Sequence, residues 1–186
     1  MRIPALLTTV VLLAACSTGS ILGDSLDSRV NVGECPPAGS IYNASRIVEL
    51  DGEGMNYPDI AYTGEIVDVR LFCRYASDNP VRAEVEIDFA FGQGPKAEGD
   101  SHDYTYWVAV TRRSGKVLNK ERFTVRADFS KGPVTGKSEL VQQIIIPRAD
   151  ESVSAANFEI LIGFELTDEQ LQFNKEGRRF RLNAGQ

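Results

Sequence analysis

His102 is the only histidine of the chain, and Asp100 and Asp103 flank it in a Gly-rich polar stretch from Gly92 to Asp103. An imidazole among carboxylates has the parts of a general base or of a metal ligand. Nothing nearby completes either chemistry. No Gly-x-Ser-x-Gly nucleophile elbow occurs, and no Cys-x-x-Cys spacing is present. These residues therefore read as a solvated loop, and no catalytic residue, metal ligand or cofactor is assigned. Asp51-Gly-Glu-Gly54, with Asp59 beyond, lacks the alternating oxygens and closing glutamate of a calcium loop and reads as a turn. Gly92-Gln93-Gly94 runs into Pro95 rather than opening a helix, so it makes no phosphate cradle. Tyr104, Tyr106 and Trp107 could stack on a sugar or a peptide. Alternation puts the two tyrosines on one face and the tryptophan on the other, so at least one set belongs to a core.

The chain opens with one cation, Arg2, an apolar run from Ala5 to Leu13, and then Ala14-Ala15-Cys16. The run is too short for a membrane-spanning helix, which needs about 20 residues, and its flanks are those of a cleaved export signal. The segment resembles a bacterial lipoprotein signal peptide, with Leu13-Ala14-Ala15-Cys16 as the lipobox. That resemblance implies cleavage before Cys16, a lipid on its thiol and further acylation (palmitate among the usual chains) on the freed amine. Two or more acyl chains hold a protein stably on a bilayer, whereas one gives marginal binding. Ser17 follows the cysteine, which by the same resemblance implies the periplasm-facing leaflet of an outer membrane. Residues 1–15 are then the signal, 16–31 a lipidated tether of small and polar residues, and 32–186 the folded domain.

With Cys16 lipidated, Cys35 and Cys73 remain, and in an oxidising envelope two such cysteines read first as a disulfide. Net charge is −6, and loss of Arg2 with the leader moves it one unit further negative. That balance argues against nucleic acid, whose phosphates demand a basic face, and against a polybasic membrane surface. Arg178, Arg179 and Arg181 read as a short solvated tail.

The elements follow a period of two, the mark of half-buried strands. Thr63 to Tyr75 places Val67, Val69, Leu71, Cys73 and Tyr75 on one face. Val81 to Phe91 alternates Val81, Ala83, Val85, Ile87, Phe89 and Phe91 against Arg82, Glu84, Glu86 and Asp88. Further strands are expected within Ser40–Leu50 and over Tyr104–Thr111, Lys116–Phe129, Leu140–Ile146 and Asn157–Leu166. Thr167-Asp-Glu-Gln170 is a capping box that opens a short helix, with Leu171 packing inward and Gly177 ending it. About seven antiparallel strands make an all-β, two-sheet sandwich of immunoglobulin-like architecture with one C-terminal helix. A lipocalin-like barrel is the alternative. The expected bridge fastens the N-terminal lead-in to the second of these strands.

With no catalytic constellation, the function expected is contact. A lipid-anchored envelope protein displays a β domain that binds or positions a protein partner in assembly or transport. Contact is expected at an open sheet edge, where a partner can add a strand, or at two loops, the segment from Gly52 to Pro58 and the loop that includes Gly92, Gln93, Gly94, His102 and Asp103. An envelope hydrolase or a small-ligand or sugar carrier is the other class.

Overall fold

The computed structural model describes residues 33–52, 54–75 and 80–178. Cys16, the leader and the tether lie outside them. Two four-stranded sheets stack face to face. The first sheet has the order β1-β8-β5-β6, from Ala38–Ser40, Phe158–Phe164, Ser101–Arg112 and Val117–Asp128. The second has the order β2-β3-β4-β7, from Arg46–Leu50, Ile60–Tyr75, Val81–Gln93 and Val134–Ile146. All pairings are antiparallel except β1 with β8, which is parallel. The sandwich expected from alternation is present, with eight strands among the described residues where about seven were expected. Two separate sheets replace the barrel alternative.

Alternation explains the core. Val81, Val85, Ile87, Phe89 and Phe91 of β4 face Tyr104, Tyr106, Val108 and Val110 of β5 and Phe158, Ile160, Ile162 and Phe164 of β8, all buried. Five aromatic rings lock the centre: Phe91 stacks on Tyr104 at 4.4 Å, and Phe89 meets Phe91, Tyr106 and Phe164 at 5.0–5.8 Å. Such pairs add about 0.5–1.5 kcal/mol each beyond burial of their area. The Tyr104 hydroxyl donates to Thr63 O at 3.0 Å, and burial raises the phenol pKa values of both tyrosines above their ordinary range. The two tyrosines are thus the core set, and Trp107 lies on the outer face of the first sheet. There its Nε1 donates to Phe164 O at 3.1 Å, and the Lys120 ammonium sits 4.6 Å above its ring.

One face assignment changes. The register shifts between Ile66 and Asp68, so Ile66 takes the inward position and Val67 is 62 % exposed. A bulge adds one residue and turns the side chains beyond it onto the other face. The charged face of β4 is outward, as its sequence requires. Arg70 bridges it, reaching Glu86 at 3.2 Å and Asp88 at 2.8 Å and also bonding Asp68. The hydrogen bond from Ser138 and then Arg70 hold the Asp88 carboxyl below its ordinary pKa.

Cys35 and Cys73 pair, with their α-carbons 5.7 Å apart. The pair ties the lead-in to the end of β3, the second of the strands expected from sequence. Tyr75 reinforces the junction: its hydroxyl donates to Glu34 O at 2.6 Å and accepts from Ala155 N at 2.9 Å. The predicted helix, α1, spans Asp168–Lys175. Thr167 Oγ1 accepts from Gln170 N while Gln170 Oε1 accepts from Thr167 N, and Gly177 ends the helix at φ +71°. Phe173, rather than Leu171, is its buried anchor.

The helix also finishes a sheet. β2 is an edge strand, and its outward carbonyls at Arg46 and Val48 accept from Asn174 Nδ2 at 2.8 Å and Gln170 Nε2 at 3.4 Å. An edge so covered offers no row of free acceptors to another chain. The edges of β6 and β7 are guarded differently. Lys137 and Glu139 stand opposite the buried Phe89 and Ile87, and Glu121 stands opposite Val108, so all three point inward along the open side of the sandwich. A register shift at Ala83/Val85, with Gln143 at φ +61°, further twists β7. Inward charges and bulges block strand addition because docking would bury the charge. Replacing Lys137 and Glu139 together with Val should raise self-association over wild type in sedimentation velocity. An unchanged profile would refute the guarding role.

Candidate functional site

The expected contact loop is shorter than its composition suggests, and its residues fall into three places. β4 runs on to Gln93 and β5 begins at Ser101, so only residues 94–100 lie between the strands. His102 and Asp103 are strand residues. The physical reason is pairing: Ser101, His102 and Asp103 continue the ladder opposite Asp128, Ala127 and Arg126 of β6, and pairing outweighs their low strand preference.

His102 points between the sheets. Tyr62 stacks on its ring at 4.0 Å, and Tyr104 meets it edge-on at 4.7 Å. Its Nε2 lies 3.0 Å from Glu49 Oε2 on the opposite sheet. The distance is short, but the direction is off that of a hydrogen bond, and this buried nitrogen has no hydrogen-bond partner. The arrangement clamps the sheets at one end; no serine or cysteine stands in it as a nucleophile. Tyr62 in turn bonds Glu98 O, which holds the 94–100 connection against β3. Asp103 is on the outer surface in a two-point pair with Arg126, Nε to Oδ1 at 2.8 Å and Nη2 to Oδ2 at 3.3 Å. Asp100 gives its backbone carbonyl to Phe129 N at 2.7 Å. The sequence neighbours of His102 therefore diverge from it.

Beyond the Asp51–Gly54 stretch, Tyr57–Asp59 forms a 3-10 turn. Asp59 Oδ2 accepts from Asn56 N at 3.0 Å, and Asp59 O accepts from Asp51 N at 2.8 Å. Glu53 lies outside the described residues. Among the described residues, no group of three or more His, Cys, Asp and Glu side chains is placed to hold a metal ion.

Gly92, Gln93 and Gly94 do contribute to a recess. It lies on the outer face of the second sheet and has a volume of about 330 Å³. Its floor is Thr63, Ala90 and Gly92, and its walls are Tyr57, Val134, Asn174 and the Arg46–Glu65 ion pair. Small side chains at every second position of β4 leave the hollow, because Ala90 and Gly92 stand where Arg82, Glu84, Glu86 and Asp88 stand farther back along the same face. Gly94 must be glycine, since an added Cβ would collide with the Ile60 backbone carbonyl. Two apolar side chains frame the recess and face solvent: Tyr57 at 50 % and Val134 at 59 % exposure. The Ala-x-Gly-x-Gly spacing of residues 90–94 is a visible sequence signal for this hollow. Its walls come from β2, β3, β7, the helix and the turn at Tyr57–Asp59, which are distant from one another in sequence.

Compared with protein families, with curated proteins and with solved structures, the chain finds no match.

Proposed function

We propose that this is a lipid-anchored envelope protein, held by Cys16, whose β domain works by contact with a protein partner rather than by catalysis. The observation that carries the reading is the recess on the second sheet, where exposed Tyr57 and Val134 frame a floor of small residues. Isolated exposed apolar side chains need no explanation, but apolar side chains framing a hollow have the form of a contact site. Strand addition is disfavoured, because the helix covers β2 and inward charges guard β6 and β7. The lipoprotein resemblance of residues 1–16 supports the anchor, and by the same resemblance Ser17 favours the periplasm-facing side of an outer membrane over the inner membrane or the cell surface.

A photo-crosslinking side chain placed at Tyr57 or Val134 in intact cells tests the reading. Discrete adducts are expected at both positions and not at Thr105, which is exposed on the outer face of the other sheet. Cys16→Ser should abolish palmitate labelling and weaken those adducts, while His102→Ala should keep them. Equal adducts at Thr105, or none at the recess, would overturn the proposal.

A further inference from the structure

A second hollow adjoins the first, of about 870 Å³, and it differs in chemistry. It runs between β2, the residues Gly52, Gly54 and Met55, and the helix, and it shares Val48 and Arg178 with the recess on the sheet. Its apolar lining is Val48, Leu50, Met55 and Phe173; Met55 is 54 % exposed, and Phe173 is the buried anchor of the helix. Its acidic lining is Asp168, Glu169 and Glu176, all exposed, and the half-buried Glu49, whose carboxylate lies beside His102. The one cation in the described lining, Arg178, is engaged by Glu176 at 2.8 Å and by Met55 Sδ at 3.1 Å. The groove therefore has an apolar floor under an acidic rim, on which Glu176 is paired while Asp168 and Glu169 make no ion pair among the described residues.

We infer that this groove binds an extended, basic and apolar peptide segment of the partner, with apolar side chains on Leu50 and Met55 and cations against the acidic rim. The inference rests on the contact reading above and specifies the chemistry of what is contacted. Charge complementarity selects the occupant. An acidic or neutral segment would leave the carboxylates of the rim facing like charge or nothing, whereas arginines convert them into rim ion pairs that steer encounter. The helix can bear this role because Thr167 and Gln170 cap each other's amides, while the Asp168 and Glu169 side chains are exposed at the surface. Extended peptides suit a groove bounded by a strand on one side, since alternate side chains then meet floor and rim in turn.

The full chain in detergent, titrated against labelled twelve-residue peptides, provides the test by fluorescence anisotropy. An alternating Arg/Leu peptide should bind saturably, and Arg/Ser and Glu/Leu peptides at least tenfold more weakly. Glu169→Lys with Glu176→Lys should weaken the Arg/Leu peptide tenfold or more, and so should Met55→Asp. Reversal of the distant exposed Glu84 to Lys should leave its binding unchanged. Equal loss with Glu84→Lys would mean attraction to net charge alone and would overturn the site, as would full binding by Met55→Asp. Binding that appears only after deletion of residues 179–186 would assign the groove to the chain's own Arg-Phe-Arg-Leu segment and overturn its assignment to a partner. Because the binding assay needs no cell, a positive result here with no adducts at Tyr57 or Val134 would separate the groove from the recess.

Discussion

Phe164→Ala should lower the stability of the domain by about 3–5 kcal/mol, the usual cost of emptying a buried phenylalanine site. The ring is 1 % exposed and lies 5.8 Å from Phe89 and 6.1 Å from Tyr104. It also closes over Gly64, whose missing side chain leaves just the room that the Phe164, Phe91 and Ile47 atoms fill. Little can collapse into the void, because those neighbours sit on paired strands of both sheets. For a domain of this size each kcal/mol moves the melting temperature by about 2–4 °C, so a fall of roughly 6–20 °C is expected in circular dichroism. A fall of less than 2 °C would mean that the two sheets do not depend on this contact.

Cys73→Ala should be nearly as costly, and its damage should be local in the first instance. A bridge across a sequence separation of 38 residues removes chain entropy from the unfolded state worth about 4 kcal/mol. The same bond holds the lead-in whose β1 pairs with β8 through only three residues. Ile160 N donates to Pro37 O at 3.0 Å, so exchange of that amide reports on β1 directly. Faster exchange at Ile160 together with a melting temperature lowered by roughly 8–16 °C is the expected pair of results. In wild type isolated without reductant, maleimide should find no free thiol at Cys35 or Cys73 before reduction. Unchanged exchange and melting in the variant would show that the bridge carries neither load.

Much of this fold is written locally. Val81 to Phe91 could be read residue by residue because one face meets the core and the other meets water. The helix start could be read because Thr167 and Gln170 satisfy each other within a single turn. What escaped reading depends on distant partners. β1 is three residues long and exists only because β8 accepts it in parallel. Val67 was turned outward by a bulge that leaves no trace in a pattern of alternating residues. His102 looked like a loop residue because its polar neighbours resemble a loop, yet Tyr62 and Glu49, far off in sequence, draw it between the sheets. The recess was half legible: Gly92 to Gly94 and the segment holding Tyr57 were expected as contact loops, while the sandwich brought them together with Val134 and Arg46.

The bonds from α1 to β2 also set an order of events during synthesis. The Arg46 and Val48 carbonyls wait for side chains made 128 and 122 residues later. At about 5–20 residues per second, that interval is roughly 6–26 s. β1 waits almost as long for β8. A nascent chain therefore carries an unfinished edge at β2 while the intervening residues are made, a period in which unpaired strands invite misassembly. Contacts between such distant residues also slow closure itself, since the intervening loop entropy must be overcome first. The first strands to be made are among the last to be secured, and only a chain that has reached Asn174 can close.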